Sequence, residues 1–432
     1  MRIAIIGSGI SGLSAAWLLQ PEHEVTVFEK NDYFGGHTDT HAVTVEGQAL
    51  QVDTGFIVFN EHNYPLLCAM LRELGVAWQE SDMSFSVNNL RSGLVYNPST
   101  MTSLLLHAQN FFKPAFRAML SDLQRFYTQT RDMAVDQIPT DITIAEFLDQ
   151  HSYSEAFRLE HLYPMCGALW SAEGGEIADL PLKFVLGFFQ NHRMLQVSDR
   201  PQWLTVKGGS ARYVDALKQQ MRVHWADGVT GVSRTPDGVL IQTQQQTLSF
   251  DQVIFACHAD QALALLQDPS DDERRVLTAF RYRPNLMVLH TDSSVMPKAR
   301  SNWASWQVRV AGQRHPTYSF TYWMNTLQRL PVKTPVLATL NPNTVIDPAQ
   351  TLVTRHYEHP VFDVAALNAQ GEWHTINGIN QSYFCGAYWG WGFHEDGVRS
   401  AHRVVDHLLA AAAKAAHRTG QSHAHDDHLV QG

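Results

Sequence analysis

The first 36 residues constrain the fold of this chain more than any other stretch. The mostly apolar run Arg2–Ile6 leads into Gly7-Ser8-Gly9-Ile10-Ser11-Gly12, and an apolar segment at helical spacing follows. A second apolar run, Val25–Phe28, ends in Glu29. This order predicts a strand, a glycine turn, a helix and a second strand, which together form a βαβ unit of the kind that holds a dinucleotide.

Each glycine of the turn has a predicted role. Gly7 permits the tight turn, Gly9 lets the backbone approach a pyrophosphate, and Gly12 lets the helix lie close to the strand. The free N–H groups at the helix N-terminus then face the phosphates, together with the positive end of the helix dipole. Glu29 ends the second strand, where a carboxylate accepts hydrogen bonds from ribose hydroxyls.

The composition favours a globular enzyme and excludes nucleic acid as the main partner. A chain of 432 residues exceeds one ordinary core, so we expect two domains. Lys and Arg number 32 against 42 Asp and Glu, a net charge of −10, whereas phosphate-backbone binding needs a basic field. With no secretory signal pattern and no apolar run of about 20 residues, we expect a cytoplasmic protein. A local basic patch leaves peripheral membrane contact open.

The cysteines do not indicate a metal site. Cys68, Cys166, Cys257 and Cys385 are scattered and form no CxxC pair. We predict free, mostly buried thiols and no bound metal.

Nucleotide-binding character returns twice along the chain. Lys207-Gly208-Gly209-Ser210 precedes a helix and several strands, and Tyr383–Gly386 ends a strand before an aromatic turn and a final helix. We predict a discontinuous nucleotide-binding domain of residues 1–80, 204–265 and 375–415. Residues 81–203 and 266–374 form the second domain, and the polar residues 416–432 a disordered tail.

This interleaving resembles the flavin amine oxidase superfamily, which includes phytoene desaturases and protoporphyrinogen oxidases. Gly35-Gly36, six residues after Glu29, matches its double glycine, and Gly392–Val398 matches its C-terminal flavin motif. The resemblance implies an α/β fold. A Rossmann-type FAD-binding domain of GR2-like flavoprotein architecture would be interleaved with an α+β substrate domain.

The resemblance also implies a set of FAD-binding residues. They are Gly7, Gly9, Ile10, Ser11, Gly12, Glu29, Lys30, Gly35, Gly36, His37, Thr38, Thr54, Gly55, Phe56, Val229, Gly386, Gly392, Phe393, Asp396, Gly397 and Val398.

Two departures from the family pattern change what we expect of the cofactor. The family usually has an Arg two residues before the double glycine and another just after it, where this chain has Tyr33 and His37. Neutralisation of the diphosphate must therefore rely on backbone donors and the helix terminus. The Gly-Gly-Cys segment that carries covalent FAD in monoamine oxidases has no counterpart in Gly371–Asn377, so we predict non-covalent FAD.

Four residues are candidate catalytic groups: His394, Glu395, His192 and Trp389. His394 and Glu395 would form a proton relay beside the flavin, or alternatively order the loop and cap the last helix. Trp389 would wall the flavin ring, or simply fill the core. His192 would be an acid, base or substrate ligand, or a structural histidine.

A second-domain stretch is amphipathic. Leu104–Leu106, Phe111, Phe112 and Phe116 lie beside Lys113 and Arg117. Core packing, an apolar tunnel and contact with a bilayer all fit this pattern.

The function that these features favour is an FAD-dependent oxidoreductase acting on an apolar small molecule. Ala168–Ser171, Arg200–Trp203 and Trp303–Trp306 resemble a bacterial subgroup of predicted NAD/FAD-binding proteins linked to modification of unsaturated fatty acyl chains. We therefore expect oxidation or desaturation of a lipid by hydride transfer to flavin N5. The alternatives are a flavin-dependent fatty acid double-bond isomerase, an amine oxidase, and a flavoprotein without enzymatic activity. The split domain argues against NAD in place of FAD.

Overall fold

The computed structural model describes residues 1–98, 108–196, 199–312 and 315–426. The strands are β1 (Arg2–Ile6), β2 (Glu24–Glu29), β3 (Thr40–Val45), β4 (Gln48–Asp53), β5 (Trp78–Glu80), β6 (Phe85–Asn89), β7 (Leu94–Tyr96), β8 (Leu204–Val206), β9 (His224–Asp227), β10 (Val229–Thr235), β11 (Gly238–Thr243), β12 (Thr247–Phe250), β13 (Gln252–Phe255), β14 (Arg281–His290), β15 (Trp306–Ala311), β16 (Thr317–Trp323), β17 (Leu337–Leu340), β18 (Thr351–Val361) and β19 (Ser382–Phe384).

The structure also contains α-helices between and after these strands. They are α1 (Ile10–Leu19), α2 (Pro65–Glu73), α3 (Pro114–Thr130), α4 (Ile144–Gln150), α5 (Glu155–Phe157), α6 (Tyr163–Trp170), α7 (Gly174–Ala178), α8 (Leu182–Asn191), α9 (Ala211–Gln220), α10 (Ala259–Leu265), α11 (Asp271–Thr278), α12 (Met324–Leu327), α13 (Val364–Gly371), α14 (Trp373–Ile376) and α15 (His394–Asp426). A π-helical segment, Arg158–Leu162, joins α5 to α6.

Two compact units make up the chain, and each is assembled from separate stretches. Unit 1 comprises Met1–Gly36, Leu217–Ala279 and Ala369–Gly432. Unit 2 comprises His37–Ala216 and Phe280–Asn368.

Unit 1 contains the predicted parallel sheet. Five strands lie in the order β19-β13-β1-β2-β9, and every neighbouring pair is parallel. The central strand β1 is almost wholly apolar and buried, as expected of a strand covered on both faces. Helix α1 packs against α15, whose buried positions Val398, Ala401, Val405 and Leu408 recur at helical spacing.

Unit 2 is built on a mixed sheet of seven strands in the order β18-β14-β17-β16-β15-β6-β7. Among its described strands, only β15 and β6 pair in parallel. The hairpin between β3 and β4 turns at Glu46 and Gly47, both with positive φ (53° and 74°), which suits a tight two-residue turn. The fold is thus α/β with a parallel sheet in one unit, as predicted.

The boundaries of the units differ from those that the sequence predicts. Residues 37–80 and 204–216 group with unit 2, and residues 266–279 and 369–374 with unit 1. One cause is the buried Asp53 carboxylate, which accepts hydrogen bonds from Ser210 and from Gln328 Nε2 (2.7 Å). These bonds tie three stretches of unit 2 together.

Residues 416–426 of the predicted disordered tail are part of the last helix. The backbone of α15 is helical through Asp426, because the alanine-rich run before residue 416 has high helix propensity and continues the last helix. Residues 427–432 lie outside the described residues, as do Leu104–Leu106 of the amphipathic stretch. Among the described residues, no helix is long and apolar enough to cross a membrane.

Candidate flavin site

The glycine turn between β1 and α1 is packed so tightly that two of its glycines admit no side chain. Gly7 has a φ of 109°, and a Cβ there would lie 2.7 Å from the carbonyl oxygen of Ala256. A Cβ on Gly12 would lie 1.9 Å from the carbonyl oxygen of Gly7. Helix α1 therefore reaches its place against β1 only because residue 12 is glycine.

Gly9 is different, because its Cβ position is open. No atom of the described residues lies within 4 Å of that position. Gly9 is also the N-cap of α1, which has no side-chain cap and no acidic residue in its first turn. The first N–H groups of α1 are thus left for another acceptor, and the open face of Gly9 lets an anion approach them.

The double glycine lies beside this turn. Gly35 forms a bridge with Gly9 and donates its N–H to the Ser8 carbonyl at 3.0 Å. A Cβ on Gly36 would lie 3.1 Å from the Gly9 Cα. The segment after β2 therefore lines the turn closely.

The Glu29 carboxylate is held at the end of β2 by three donors. Oε2 accepts the Ser8 N–H (2.9 Å) and the Ser8 hydroxyl (2.5 Å), and Oε1 accepts the Asn31 N–H (2.9 Å). Each carboxylate oxygen can accept about two hydrogen bonds, so Oε1 has the capacity for one further donor. Sequence reasoning missed Ser8 as the residue that orients Glu29, although Ser8 lies within the glycine motif.

Val229, one of the predicted FAD-binding residues, also lies next to the end of β2. A Cβ on Gly228 would lie 2.9 Å from the Lys30 Cα, so Val229 begins β10 beside Lys30.

The C-terminal motif closes on the N-terminal one within unit 1. A Cβ on Gly397 would lie 2.7 Å from Ile10 Cγ2 and 2.8 Å from Ser11 Oγ. The start of α15 thus contacts the start of α1, and Val398 is buried at this contact. Gly386, at the end of β19, donates its N–H to Ser400 Oγ at 3.0 Å.

Asp396 orders the turn that leads into α15. Its carboxylate accepts the N–H groups of Trp391 (3.1 Å) and Phe393 (3.0 Å) and pairs with Arg399 at 3.0 Å. Burial raises the pKa of Asp396 to about 6, although the N–H donors and the Arg399 charge lower it. Gln370, which sequence reasoning missed, donates to the carbonyls of Tyr388 and Gly390 and fixes the other side of the turn.

The predicted FAD residues from His37 to Phe56 belong to unit 2. Phe56 donates its N–H to the His37 carbonyl at 2.7 Å, and a Cβ on Gly55 would clash with the same carbonyl. Thr38 hydrogen-bonds the Tyr213 hydroxyl, and Thr54 contacts His41 and Tyr357. His37 is partly buried, and burial lowers the pKa of its ring, so this side chain is neutral near pH 7. It does not replace the positive charge of the family's arginine.

Comparison with known proteins settles the family. A family model described as flavin containing amine oxidoreductase matches residues 10–305, more than half of the chain.

The chain belongs to the flavin-containing amine oxidoreductase family.

The solved structures that share this fold include proteins named for different substrates. A CLA-producing fatty acid isomerase from P. acnes is 16% identical, with a TM-score of 0.68 over 95% of this chain and 98% of that one. Cyclohexylamine oxidase from Brevibacterium oxydans is 18% identical, with a TM-score of 0.65 over 94% and 99%. Putrescine oxidase bound to putrescine is 14% identical, with a TM-score of 0.65 over 95% and 99%. At these identities the likeness shows the fold alone.

One curated relative matches over a short stretch. An uncharacterized protein of Methanocaldococcus jannaschii is 38% identical over 76 residues, which are 17% of this chain and 18% of that protein. The match therefore spans less than a fifth of that relative's length.

Because it belongs to the flavin-containing amine oxidoreductase family, this protein is an oxidoreductase that uses a flavin.

The candidate catalytic residues of this flavin oxidoreductase are divided between the units. His394 and Glu395 are buried at the start of α15, and the Trp389 ring lies 5.2 Å from that of Tyr388, all in unit 1. His192 is in unit 2, where its ring stacks on Phe188 at 3.8 Å. Its Nδ1 donates to the Phe188 carbonyl at 3.0 Å.

Unit 2 also holds a histidine that sequence reasoning missed. His359 is hydrogen-bonded to Ser171 Oγ at 3.0 Å, and burial lowers its pKa to about 3. Ser171 has a left-handed backbone with a φ of 57°. His359 lines a cavity of about 20 Å³ together with Trp170, Val361 and Phe362. This volume fits one water molecule, so the cavity does not define a substrate site.

Proposed function

We propose that this protein is an FAD-dependent oxidoreductase that oxidises or desaturates an apolar substrate, with an unsaturated fatty acyl chain as the first candidate. The observation that carries the proposal is the contact of the two glycine motifs in unit 1, where Gly397 packs on Ile10 and Ser11. A NAD site needs only the N-terminal motif. An FAD site also needs protein groups beside the flavin ring, and the C-terminal motif would supply them.

The residues of unit 1 fit the nucleotide half of FAD. The open face of Gly9 and the uncapped N-terminus of α1 would hold the diphosphate through backbone N–H groups and the helix dipole. Glu29 would accept a hydrogen bond from the ribose, with Ser8 and Asn31 keeping its carboxylate in place. Because Tyr33 and His37 replace arginines, backbone groups carry most of this recognition.

The thiols of this chain support non-covalent binding. Cys385 is buried, and burial raises its pKa far above that of an ordinary thiol. Burial also raises the pKa of Cys257 to about 12. A raised pKa disfavours the thiolate, which a covalent bond from sulfur to the flavin would require.

The chemistry would be divided between cofactor and protein. FAD, when bound, supplies the N5 atom that accepts a hydride from the substrate. The turn Gly386–Phe393 would orient the reacting end of the site, because Asp396 and Gln370 fix its backbone. His394 or Glu395 would hold the proton that the reaction moves, and the aromatic ring of Trp389 would exclude water. These roles, and the predicted cytoplasmic location, stay predictions.

A substrate screen under anaerobic conditions tests the proposal. We expect a monounsaturated fatty acid to bleach the visible absorbance of the oxidised flavin, and cyclohexylamine and putrescine to leave it unchanged. Stopped-flow spectroscopy of the purified holoprotein measures both rates, with a saturated fatty acid as control. Bleaching by the amines alone would overturn the lipid proposal and identify an amine oxidase.

A double-bond isomerase is the second candidate, because a fatty acid isomerase shares this fold over 95% of the chain. In that reaction the hydride returns to the same substrate. Isomerised product that accumulates without consumption of oxygen or of an electron-accepting dye would identify the isomerase.

A further inference from the structure

Two large apolar side chains are exposed at one end of the seven-stranded sheet of unit 2. Phe112 is 84% exposed and Leu90 is 52% exposed. Leu90 begins the turn between β6 and β7, and its N–H donates to the Val310 carbonyl near the end of β15. Phe112 ends the 3₁₀ turn Ala108–Phe112, just before α3.

The two turns are held together by side-chain hydrogen bonds. Lys113 Nζ donates to the Gly93 carbonyl at 3.3 Å, and Asn110 Nδ2 donates to the Val95 carbonyl at 2.9 Å. Arg117 closes the start of α3 onto the same turn by donating to the Phe111 carbonyl at 2.8 Å. Leu90 and Phe112 are therefore presented by one fixed structure.

The same turns carry an excess of positive charge. Arg91, Lys113 and Arg117 are all exposed. One acid, Glu160, interacts with Arg91 and Lys113, but it is buried and accepts a hydrogen bond from Asn89 at 2.9 Å. Asp122, further along α3, is already paired with Arg125 at 2.8 Å. This concentration of exposed cations contrasts with the net charge of −10 of the whole chain.

We propose that Leu90, Arg91, Phe112, Lys113 and Arg117 form a docking patch for the surface of an anionic phospholipid membrane. Aromatic and aliphatic side chains enter the boundary between headgroups and acyl chains, and cations beside them attract anionic headgroups. The acidic remainder of the chain is repelled by such a surface, so the docking patch would also set the orientation of the protein.

A second copy of the chain fits the docking patch less well than a membrane does. In a symmetric dimer the same patch lies on both subunits, so the three cations would face their own copies. Like charges brought together in this way oppose association. The proposal does not depend on which reaction the flavin site performs.

Sedimentation of the holoprotein with lipid vesicles tests the docking patch. We expect binding to vesicles of phosphatidylcholine mixed with phosphatidylglycerol, weaker binding as salt is raised, and little binding to phosphatidylcholine alone. Phe112→Ser should lower the partition coefficient by roughly tenfold or more, since burial of a Phe side chain contributes at least that factor. Arg91→Gln combined with Lys113→Gln should reduce the preference for the anionic vesicles.

Val345→Ser is the matched control. Val345 is also 84% exposed in unit 2, but its neighbour Ile346 packs on Val295, Met296 and Leu337. Leu337 pairs with Trp323 at one end of β16, whereas Val310, which accepts the Leu90 N–H, pairs with Tyr318 at the other end. The segment that carries Val345 therefore packs at the opposite end of β16 from the docking patch. The control should bind vesicles as the unchanged protein does.

Three results would overturn the proposal. One is that the protein binds neither type of vesicle. Another is that Phe112→Ser and Val345→Ser lose binding to the same extent. The third is a concentration-dependent dimer that Phe112→Ser abolishes while vesicle binding is absent. Unchanged melting temperatures and flavin content would show that the exposed substitutions leave the fold intact.

Discussion

Gly12→Ala is expected to destabilise unit 1 by about 3 kcal/mol or more and to abolish flavin retention. The new Cβ would lie 1.9 Å from the Gly7 carbonyl oxygen, which is backbone and cannot rotate away. Relief requires α1 to move off β1, and that shift displaces both the N-terminus of α1 and the Gly397 contact. Thermal unfolding followed by circular dichroism, together with flavin content per mole of protein, measures both effects.

Substitutions at two other glycines distinguish an effect on packing from an effect on cofactor binding. Gly175→Ala in α7 adds a Cβ with no described atom within 4 Å, so it should leave flavin content unchanged and raise helix stability by up to about 1 kcal/mol. In Gly9→Ala the new Cβ also has no described atom within 4 Å, but it occupies the space proposed for the diphosphate. It should fold normally and lose flavin. Full flavin content in Gly9→Ala would contradict the proposed position of the diphosphate.

Arg234→Met is expected to lower the free energy of unfolding by about 3–5 kcal/mol. The Arg234 side chain is 3% exposed and pairs with Glu273, which is 1% exposed, at 2.5 Å. It also pairs with Asp268 and donates to Ser382 Oγ at 3.2 Å, so it ties β10, α11 and β19 together. Removing the guanidinium leaves the Glu273 carboxylate buried without its cation. Chemical denaturation measures the loss.

Two comparisons show whether the buried charge is the cause. Adding Glu273→Gln to Arg234→Met should recover a sizeable part of the lost stability, because no unpaired charge then remains buried. Arg131→Met removes an exposed cation 3.7 Å from Asp132 and should cost less than about 1 kcal/mol. If the two Arg→Met variants lose equal stability, burial of the pair does not explain the effect.

The local features of the flavin site could be predicted from the sequence because they depend on neighbouring residues. Gly7, Gly9 and Gly12 define a turn whose shape follows from backbone sterics, and the apolar runs around them define the strands and helix. The hairpin at Glu46-Gly47 is predictable for the same reason. The double glycine after β2 also lies where its position in the motif suggests.

The long-range features could not be predicted, because they depend on groups far apart in the chain. Nothing near Asp53 in the sequence indicates that Ser210 and Gln328 bind its carboxylate, and these bonds join residues 37–80 to unit 2. Burial raises the pKa of Asp53 to about 6, which short-range patterns also do not reveal. Likewise, the hydrogen bond of His359 with Ser171 joins residues 188 positions apart.

The central claim is that this chain holds FAD without a covalent bond, and acid denaturation of the purified protein tests it most directly. We predict that the native protein shows the visible absorbance of oxidised flavin. After precipitation of the polypeptide, all of that flavin should remain in the supernatant and have the mass of FAD. Flavin that stays on the polypeptide would contradict the account, as would a protein that neither contains flavin nor takes it up from added FAD.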